Sequence, residues 1–212
     1  MDQLETFKKQ WQDREQDLPK LSYDSIYKML LKKSSSIVKW IFLISIAELL
    51  FWISLNFLMP ESQKAIVNDM GIGNVVFYSN IFHFIIFGIF IVYFYKNYQS
   101  IQVTDNTKSL MSSILKTRKT VRYFVFYNVG MFILSSILLN VFFYNRSDQL
   151  YEVMDFAAKG VPQDSFASVF IISQIIAGVV FVAILILFYW LIYGILLKRL
   201  KRNYKELKKM EM

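Results

Sequence analysis

Two ionisable side chains lie inside apolar stretches of the sequence. Glu48 is near the middle of the stretch 37–59, and His83 lies within the stretch 75–98. A charged side chain at the centre of a membrane-spanning helix costs about 2.5–3.5 kcal/mol, so such a residue usually faces the interior of a helix bundle and finds a partner. Loss of water also favours the neutral carboxyl group. We therefore predict that Glu48 is neutral or paired with His83.

Amide side chains accompany these two residues at comparable depths in the apolar stretches. The expected intramembrane polar cluster consists of Glu48, His83, Asn80, Asn56, Asn140 and Gln174. Hydrogen bonds between such residues hold membrane bundles together and contribute around 0.6 kcal/mol each. The same residues could instead line a site for a proton or a substrate. The sequence leaves both interpretations open.

Other chemistry is poorly supported by the sequence. There is no cysteine and only one histidine, and we find no glycine-rich phosphate loop, no HExxH motif and no nucleophile elbow. We therefore predict no enzymatic activity, no catalytic residue, no cofactor and no metal site. The aromatic residues near the ends of the apolar stretches, such as Trp40, Tyr123, Tyr189 and Trp190, are interpreted as an interfacial belt.

The apolar stretches have the length of membrane-spanning helices. The chain is 55% hydrophobic and 19% charged, whereas soluble domains carry about 45–50% apolar and roughly 25% charged residues. A spanning helix needs about 20 mostly apolar residues. Four spans are expected, at 37–59, 75–98, 121–144 and 168–197. The predicted fold class is therefore an all-α membrane protein with four transmembrane helices.

The distribution of positive charge predicts the orientation of these spans. Of the 24 lysines and arginines, 21 fall in or beside the segments 1–36, 99–120 and 198–212. Positive residues stay on the cytoplasmic side, so we expect both termini and the middle loop to face the cytoplasm. A basic flank of this kind contacts anionic lipid headgroups. We therefore predict the lipid bilayer as a partner, and no nucleic acid.

The second half of the chain resembles the first half. Val38-Lys39-Trp40 opens the first span and Val121-Arg122-Tyr123 opens the third. Ser79-Asn80-Ile81 in the second span corresponds to Ser173-Gln174-Ile175 in the fourth. We interpret the pattern as a tandem duplication of a two-helix hairpin, which would give parallel repeats related by an axis along the membrane normal.

The segments outside the spans carry amphipathic patterns. In the segment 1–36, Leu4, Phe7 and Trp11 follow helical spacing and are expected to dock a partner or the membrane surface. Ser22 is expected to cap a second cytoplasmic helix that runs into the first span. The basic tail 198–212 is expected to continue the fourth span.

The middle loop is expected to contribute a further cytoplasmic helix. Thr104 or Asp105 is predicted to cap this helix, in which Leu110 and Ile114 share one face.

The stretch LSYDSIYKMLLKKSSSIVKW at 21–40, with Leu4, Phe7 and Trp11 before it, resembles a group of uncharacterised four-span proteins from Bacteroidetes. Some of these proteins carry the label β-carotene 15,15′-monooxygenase. Carotenoid cleavage oxygenases are β-propellers that bind iron through four histidines, whereas this chain has one histidine. The resemblance therefore implies a location in the bacterial inner membrane and does not imply carotenoid cleavage.

These observations favour a non-enzymatic accessory or regulatory subunit of a larger membrane complex. Its cytoplasmic helices would dock other membrane-protein subunits, because the sequence offers docking surface and little chemistry. An alternative is a small proton-coupled transporter or channel that uses Glu48 and His83. A second alternative is a membrane-tethered regulator that sequesters a cytoplasmic factor through the segment 1–36.

Overall fold

The computed structural model of the chain describes residues 22–211, together with Glu5 and Lys8. The proposed docking residues Leu4, Phe7 and Trp11 lie outside the described residues. Within the described part the chain is all-α and contains no strand.

The helices follow one another with short connections. In chain order they are α1 (Tyr23–Phe57), α2 (Glu61–Asp69), α3 (Gly73–Gln102), α4 (Thr107–Asn145), α5 (Ser147–Val153), α6 (Gln163–Tyr189), a π-helical turn (Trp190–Gly194) and α7 (Ile195–Met210). The last three run on as one continuous helix, Gln163–Met210. The predicted continuation of the fourth span into the tail is thus confirmed.

Four helices are long and apolar enough to cross a membrane, which confirms the predicted number. They are α1, α3, α4 and the continuous helix Gln163–Met210. A bilayer core about 30 Å thick needs roughly 20 residues, and α1 has 35 residues while α4 has 39. The surplus turns extend at the end of the bundle that carries 23–36, 98–120 and 198–210, here called the basic end. The opposite end, with the connections 58–73 and 145–163, is called the loop end.

Side-chain caps set where the two longest helices begin. Ser22 precedes α1 and its hydroxyl accepts a hydrogen bond from the Ser25 amide at 3.3 Å, as predicted. The cap of α4 is Asn106, whose side chain accepts from the Ser109 amide at 2.8 Å. The prediction of Thr104 or Asp105 as this cap was wrong. The Thr104 hydroxyl instead donates to the Ser100 carbonyl at the end of α3.

An aromatic core joins the long helices. Phe124 of α4 is fully buried and lies at its centre. Its ring contacts Phe87 and Phe94 of α3, with centroid distances of 5.0 and 5.3 Å. It also contacts Tyr189 and Tyr193 at the end of α6 and in the π-helical turn, at 6.2 and 5.7 Å. The cluster packs three of the four spans against one another.

The extensions of α1, α4 and α7 beyond the spans pack together at the basic end into what we call the collar. The Tyr27 hydroxyl of α1 donates to the Thr104 carbonyl at 2.8 Å. The Asn203 amide of α7 donates to the Ser34 hydroxyl of α1 at 3.0 Å, and both side chains are buried. Leu200, which is fully buried, joins the same core. The collar is therefore held by its own internal contacts.

The loop end has a small core of its own. It contains Met70, Ile72, Leu150, Tyr151 and Phe166. This core ties the two loop-end connections to each other and fixes the ends of the spans at the loop end.

Candidate functional site

The Glu48 carboxyl group lies buried between α1 and the fourth span. The side chain is 6% exposed, and both of its oxygens accept hydrogen bonds. The Tyr189 hydroxyl donates to Oε1 at 2.5 Å, and the Tyr193 hydroxyl donates to Oε2 at 3.0 Å. The carboxyl group is thus met by one donor on each oxygen, which offsets the cost of removing it from water.

The π-helical turn brings the two tyrosines to the same side of the fourth span. Tyr189 is the last residue of α6, and Tyr193 lies four residues later inside the turn that Gly194 ends. Residues four apart in a helix lie on one face. The π-helix is rare and often marks functional sites. Here it occurs at the level of the buried carboxyl group.

The interpretation of Tyr189 as part of an interfacial belt was wrong. Tyr189 is 3% exposed and Tyr193 is 1% exposed, whereas Trp190 is 66% exposed. Adjacent residues of a helix point about 100° apart, so Tyr189 faces the core when Trp190 faces outward. Tyr193 was not predicted as a site residue. A pair of tyrosines four residues apart inside an apolar stretch was the signal that could have found it.

His83 has a different partner from the one expected. Within the described residues no hydrogen bond joins His83 to Glu48, so the predicted pair is wrong. The His83 ring stacks on Tyr127 of α4, with centroids 5.7 Å apart and planes within 12°. The Tyr127 hydroxyl lies 3.4 Å from His83 Nδ1. Glu48 is turned toward the fourth span instead, where the tyrosine hydroxyls lie.

A cavity of about 210 Å³ opens beside Tyr189 in the half of the bundle nearer the loop end. All four spans contribute to its wall. The polar lining residues are Asn56, Ser79, Asn80, His83, Asn128, Ser135 and Tyr189. A water molecule needs only about 10–15 Å³ by this measure, whereas drug-sized ligands occupy pockets of about 300–1,000 Å³. The cavity therefore has room for several waters or one small polar molecule.

The predicted polar cluster divides into three parts. Asn56, Asn80 and His83 line the cavity, and the Asn80 side-chain amide lies 3.4 Å from the side-chain oxygen of Asn56. Glu48 does not line the cavity, and its connection to it runs through Tyr189. This division keeps the carboxyl group one hydrogen bond away from the polar wall.

Asn140 and Gln174 lie elsewhere. The Asn140 amide donates to the Ser136 carbonyl of its own helix at 2.8 Å and lines a separate, apolar groove between α4 and α6. Gln174 is exposed on the outer face of α6. The expectation that both join one cluster with Glu48 and His83 was wrong, because similar depth in the membrane does not fix the direction in which a helix turns its side chains.

Asn128 was not predicted, although it belongs to the cavity wall. It is 8% exposed and its amide donates to the Phe124 carbonyl. Within the part of the chain that the structure describes, no three histidine, aspartate or glutamate side chains come together as a metal-binding group.

The family described as Domain of unknown function (DUF8845) matches residues 24–212. The chain belongs to this family. The match begins at the second residue of α1 and includes all four long helices, so every residue of the site described above falls within it. Comparison with curated proteins and with solved structures found no match.

Proposed function

We propose that this protein is a small proton-coupled transporter, which admits a small polar solute to the cavity from the loop end. The observation that carries the proposal is the position of Tyr189. This side chain lines the cavity and also donates a hydrogen bond to the buried Glu48 carboxyl group. An intramembrane carboxyl group with one route to a polar cavity is an arrangement suited to exchanging a proton.

The Tyr189 hydroxyl can relay a proton without a stable charged intermediate. A hydronium ion in the cavity gives a proton to the Tyr189 oxygen while the original hydroxyl proton passes to Glu48 Oε1. The carboxylate becomes a neutral carboxyl group, the tyrosine is restored, and the hydronium ion is left as water. The reverse transfer returns the proton to the cavity. A distance of 2.5 Å between the two oxygens suits such a transfer.

The packing on the other side of Glu48 supports access from the loop end. Toward the basic end, the space around Tyr193 is filled by Phe94 and Phe124 and then by Leu200, all of them buried. Water that reaches Tyr189 through the cavity therefore meets a packed barrier beyond the carboxyl group. A transporter in this state is open at one end and closed at the other.

We further propose that the basic end faces the cytoplasm of a bacterium and that the loop end faces outward. The distribution of 21 of 24 basic residues on one side supports this orientation. Anionic lipid headgroups would meet the basic flank. On this assignment the cavity opens away from the cytoplasm.

A second candidate function is that of an accessory subunit of a larger membrane complex. The collar favours it, because α1, α4 and α7 carry a folded platform beyond the predicted spans on which another subunit could dock. The accessory role needs no exchange of protons at Glu48, and this difference separates the two candidates.

Proton flux into proteoliposomes tests the transporter proposal. A pH-sensitive dye in the lumen reports proton entry that is driven by a membrane potential. We expect flux with the wild-type protein, loss of flux with Glu48→Gln, and wild-type flux with Glu61→Gln, an exposed matched control on α2. Equal flux in Glu48→Gln protein of unchanged thermal stability would reject the proposal. Absence of flux in the wild type would favour the accessory subunit.

A further inference from the structure

Arg118, at the basic end of the bundle, is half-buried, and one nitrogen of its guanidinium group is buried without a partner in the part of the chain that the structure describes. It lies on α4, three residues before Val121, where the third predicted span begins. Its Nε atom is inaccessible to solvent and has no hydrogen-bond partner among the described residues. Buried polar atoms of this kind are rare in native proteins and often mark a bound ion or ligand.

A second guanidinium group adds to the positive charge around Arg118. Arg122 lies one helical turn further on and is exposed. Burial and the charge of Arg122 both lower the pKa of Arg118. The two salt bridges of the described residues join Lys28 to Asp24 and Lys64 to Glu61, so neither arginine takes part in one. Within the described part of the chain neither arginine has an acidic partner, so the two neighbouring cations attract a negative group.

Among the described residues, the ionisable groups that act on Arg118 are not carboxyl groups. Tyr204 of α7 is the other ionisable side chain that acts on Arg118. Glu206 is two residues from Tyr204, and residues two apart in a helix do not share a face. Lys201 and Lys205 flank Tyr204 in the same helix. By the same rule Lys205, which is adjacent to Tyr204, does not share its face, so the described neighbour of Arg118 on the side of α7 is Tyr204, which has no carboxyl group.

The residues that follow along α4 indicate a lipid. Arg118, Arg122, Phe126 and Gly130 succeed one another at intervals of four and form one stripe down the helix. Phe126 is 79% exposed, and no side chain or backbone of another helix lies within 4 Å of a Cβ added at Gly130. A phosphate held by the arginines would leave an acyl chain lying along this apolar part of the stripe. A free phosphate ion has no acyl chain and would leave this apolar part of the stripe without a contact.

We propose that Arg118 and Arg122 bind the phosphate of an anionic phospholipid in the leaflet at the basic end. Guanidinium groups suit phosphate because their planar fork can donate two parallel hydrogen bonds. The position at the start of a span is the depth of lipid headgroups. This inference is independent of the proposed transport through Glu48, and it gives the basic flank one defined site in place of a diffuse attraction.

Native mass spectrometry of the full chain with added lipid tests the proposal. We expect phosphatidylglycerol to bind in preference to phosphatidylcholine, and Arg118→Gln to weaken phosphatidylglycerol binding about fivefold. Lys116→Gln is the matched control, since it removes one exposed charge from the same helix, and it should leave binding unchanged. Arg118→Lys, which keeps the charge without the fork, should bind with intermediate affinity.

Two outcomes would overturn the proposal. Equal weakening by Lys116→Gln and Arg118→Gln would show that the lipid responds only to overall charge. Displacement of phosphatidylglycerol by inorganic phosphate alone would show a site for the free anion. If Arg118→Gln fails to fold, Arg122→Gln decides the question, because Arg122 is exposed and should weaken phosphatidylglycerol binding to a similar degree.

Discussion

The two tyrosines that bind Glu48 are chemically alike but differ in what lies on their other side. Each donates one hydrogen bond to one oxygen of the same carboxyl group. Tyr189 also lines the cavity, whereas Tyr193 is enclosed by the aromatic core around Phe124. A structural role would make the two hydroxyls equivalent, and a relay would require only Tyr189. Comparing the two tyrosines therefore distinguishes a structural role of the polar residues from a role in proton transfer.

Replacing each tyrosine with phenylalanine gives a matched comparison. Either change removes one hydrogen bond to Glu48 and should cost around 0.6 kcal/mol of stability. Tyr189→Phe should lower proton flux in proteoliposomes roughly tenfold or more, because it removes the relaying oxygen. Tyr193→Phe should keep most of the flux. Equal flux in the two variants, at similar thermal stability, would indicate that the tyrosines only anchor the carboxyl group.

Glu48 could be predicted from the sequence, but its partners could not. A single carboxyl group in an apolar stretch is conspicuous because its cost is high. Its partner depends on which face each helix turns inward, and these helices are apolar around most of their circumference. Residue type and depth therefore suggested His83 as the partner of Glu48, whereas in the structure its partners are Tyr189 and Tyr193.

The π-helical turn lies where the packing of the fourth span changes. Before the turn, α6 packs against α4, and after it α7 packs against both α1 and α4. The cavity lies beside α6, while the collar is built on α7. Glu48 joins α1 to the turn itself. This junction lies between the half of the bundle that holds the cavity and the half that carries the collar.

Phe124 holds this junction in place from the side of α4. Its ring contacts both tyrosines as well as Phe87 and Phe94. We expect Phe124→Ala to destabilise the protein by about 3 kcal/mol, the lower part of the range for buried phenylalanines, since lipid tails can solvate part of the exposed surface. Unfolding in a denaturing detergent measures the loss.

The matched control for this prediction is Phe82→Ala on α3. Phe82 is 55% exposed and faces outward, so its removal should change stability by less than about 0.5 kcal/mol. If both alanine variants lost the same stability, the aromatic core would not be what holds the spans together.

Helix positions were more predictable than helix lengths. The predicted spans 37–59 and 121–144 lie almost wholly within α1 and α4, but both helices begin 14 residues earlier, at Tyr23 and Thr107. Hydropathy marks only the part that matches the bilayer. No proline or glycine interrupts the polar turns before the spans, so the helices simply continue.

The proposed duplication stays a prediction, and the site does not follow it. In both halves a long helix, a short helix and another long helix succeed one another. In the register of the two halves, Glu48 corresponds to Met131, and Tyr193 corresponds to Gln99. If the halves share an origin, the duplication did not produce a second copy of the buried carboxyl group with its pair of tyrosines.

The whole molecule has two unlike ends. The basic end carries the collar and most of the positive charge, while the polar cavity lies in the half of the bundle nearer the loop end. The charge asymmetry could be read from the sequence, since it depends only on the order of residues. The cavity could not be read from the sequence, because it depends on how α1 and α6 separate on the loop-end side of Glu48. This separation is a property of the packed bundle.

We propose that a polar, water-accessible cavity opens at the loop end and that this end faces outward. The chain has no cysteine, so single cysteines can be introduced and labelled cleanly. Ser79→Cys places a thiol in the cavity wall, and Ser173→Cys places one on the exposed face of α6, at a similar distance from the start of its span.

Labelling of these two variants in intact cells with a membrane-impermeant maleimide tests the claim most directly, because a thiol reacts in water and not in lipid. We predict rapid labelling of Ser79→Cys and none of Ser173→Cys. A Ser79→Cys protein that stays unlabelled in intact cells, or that reacts only after the cells are opened, would contradict the account.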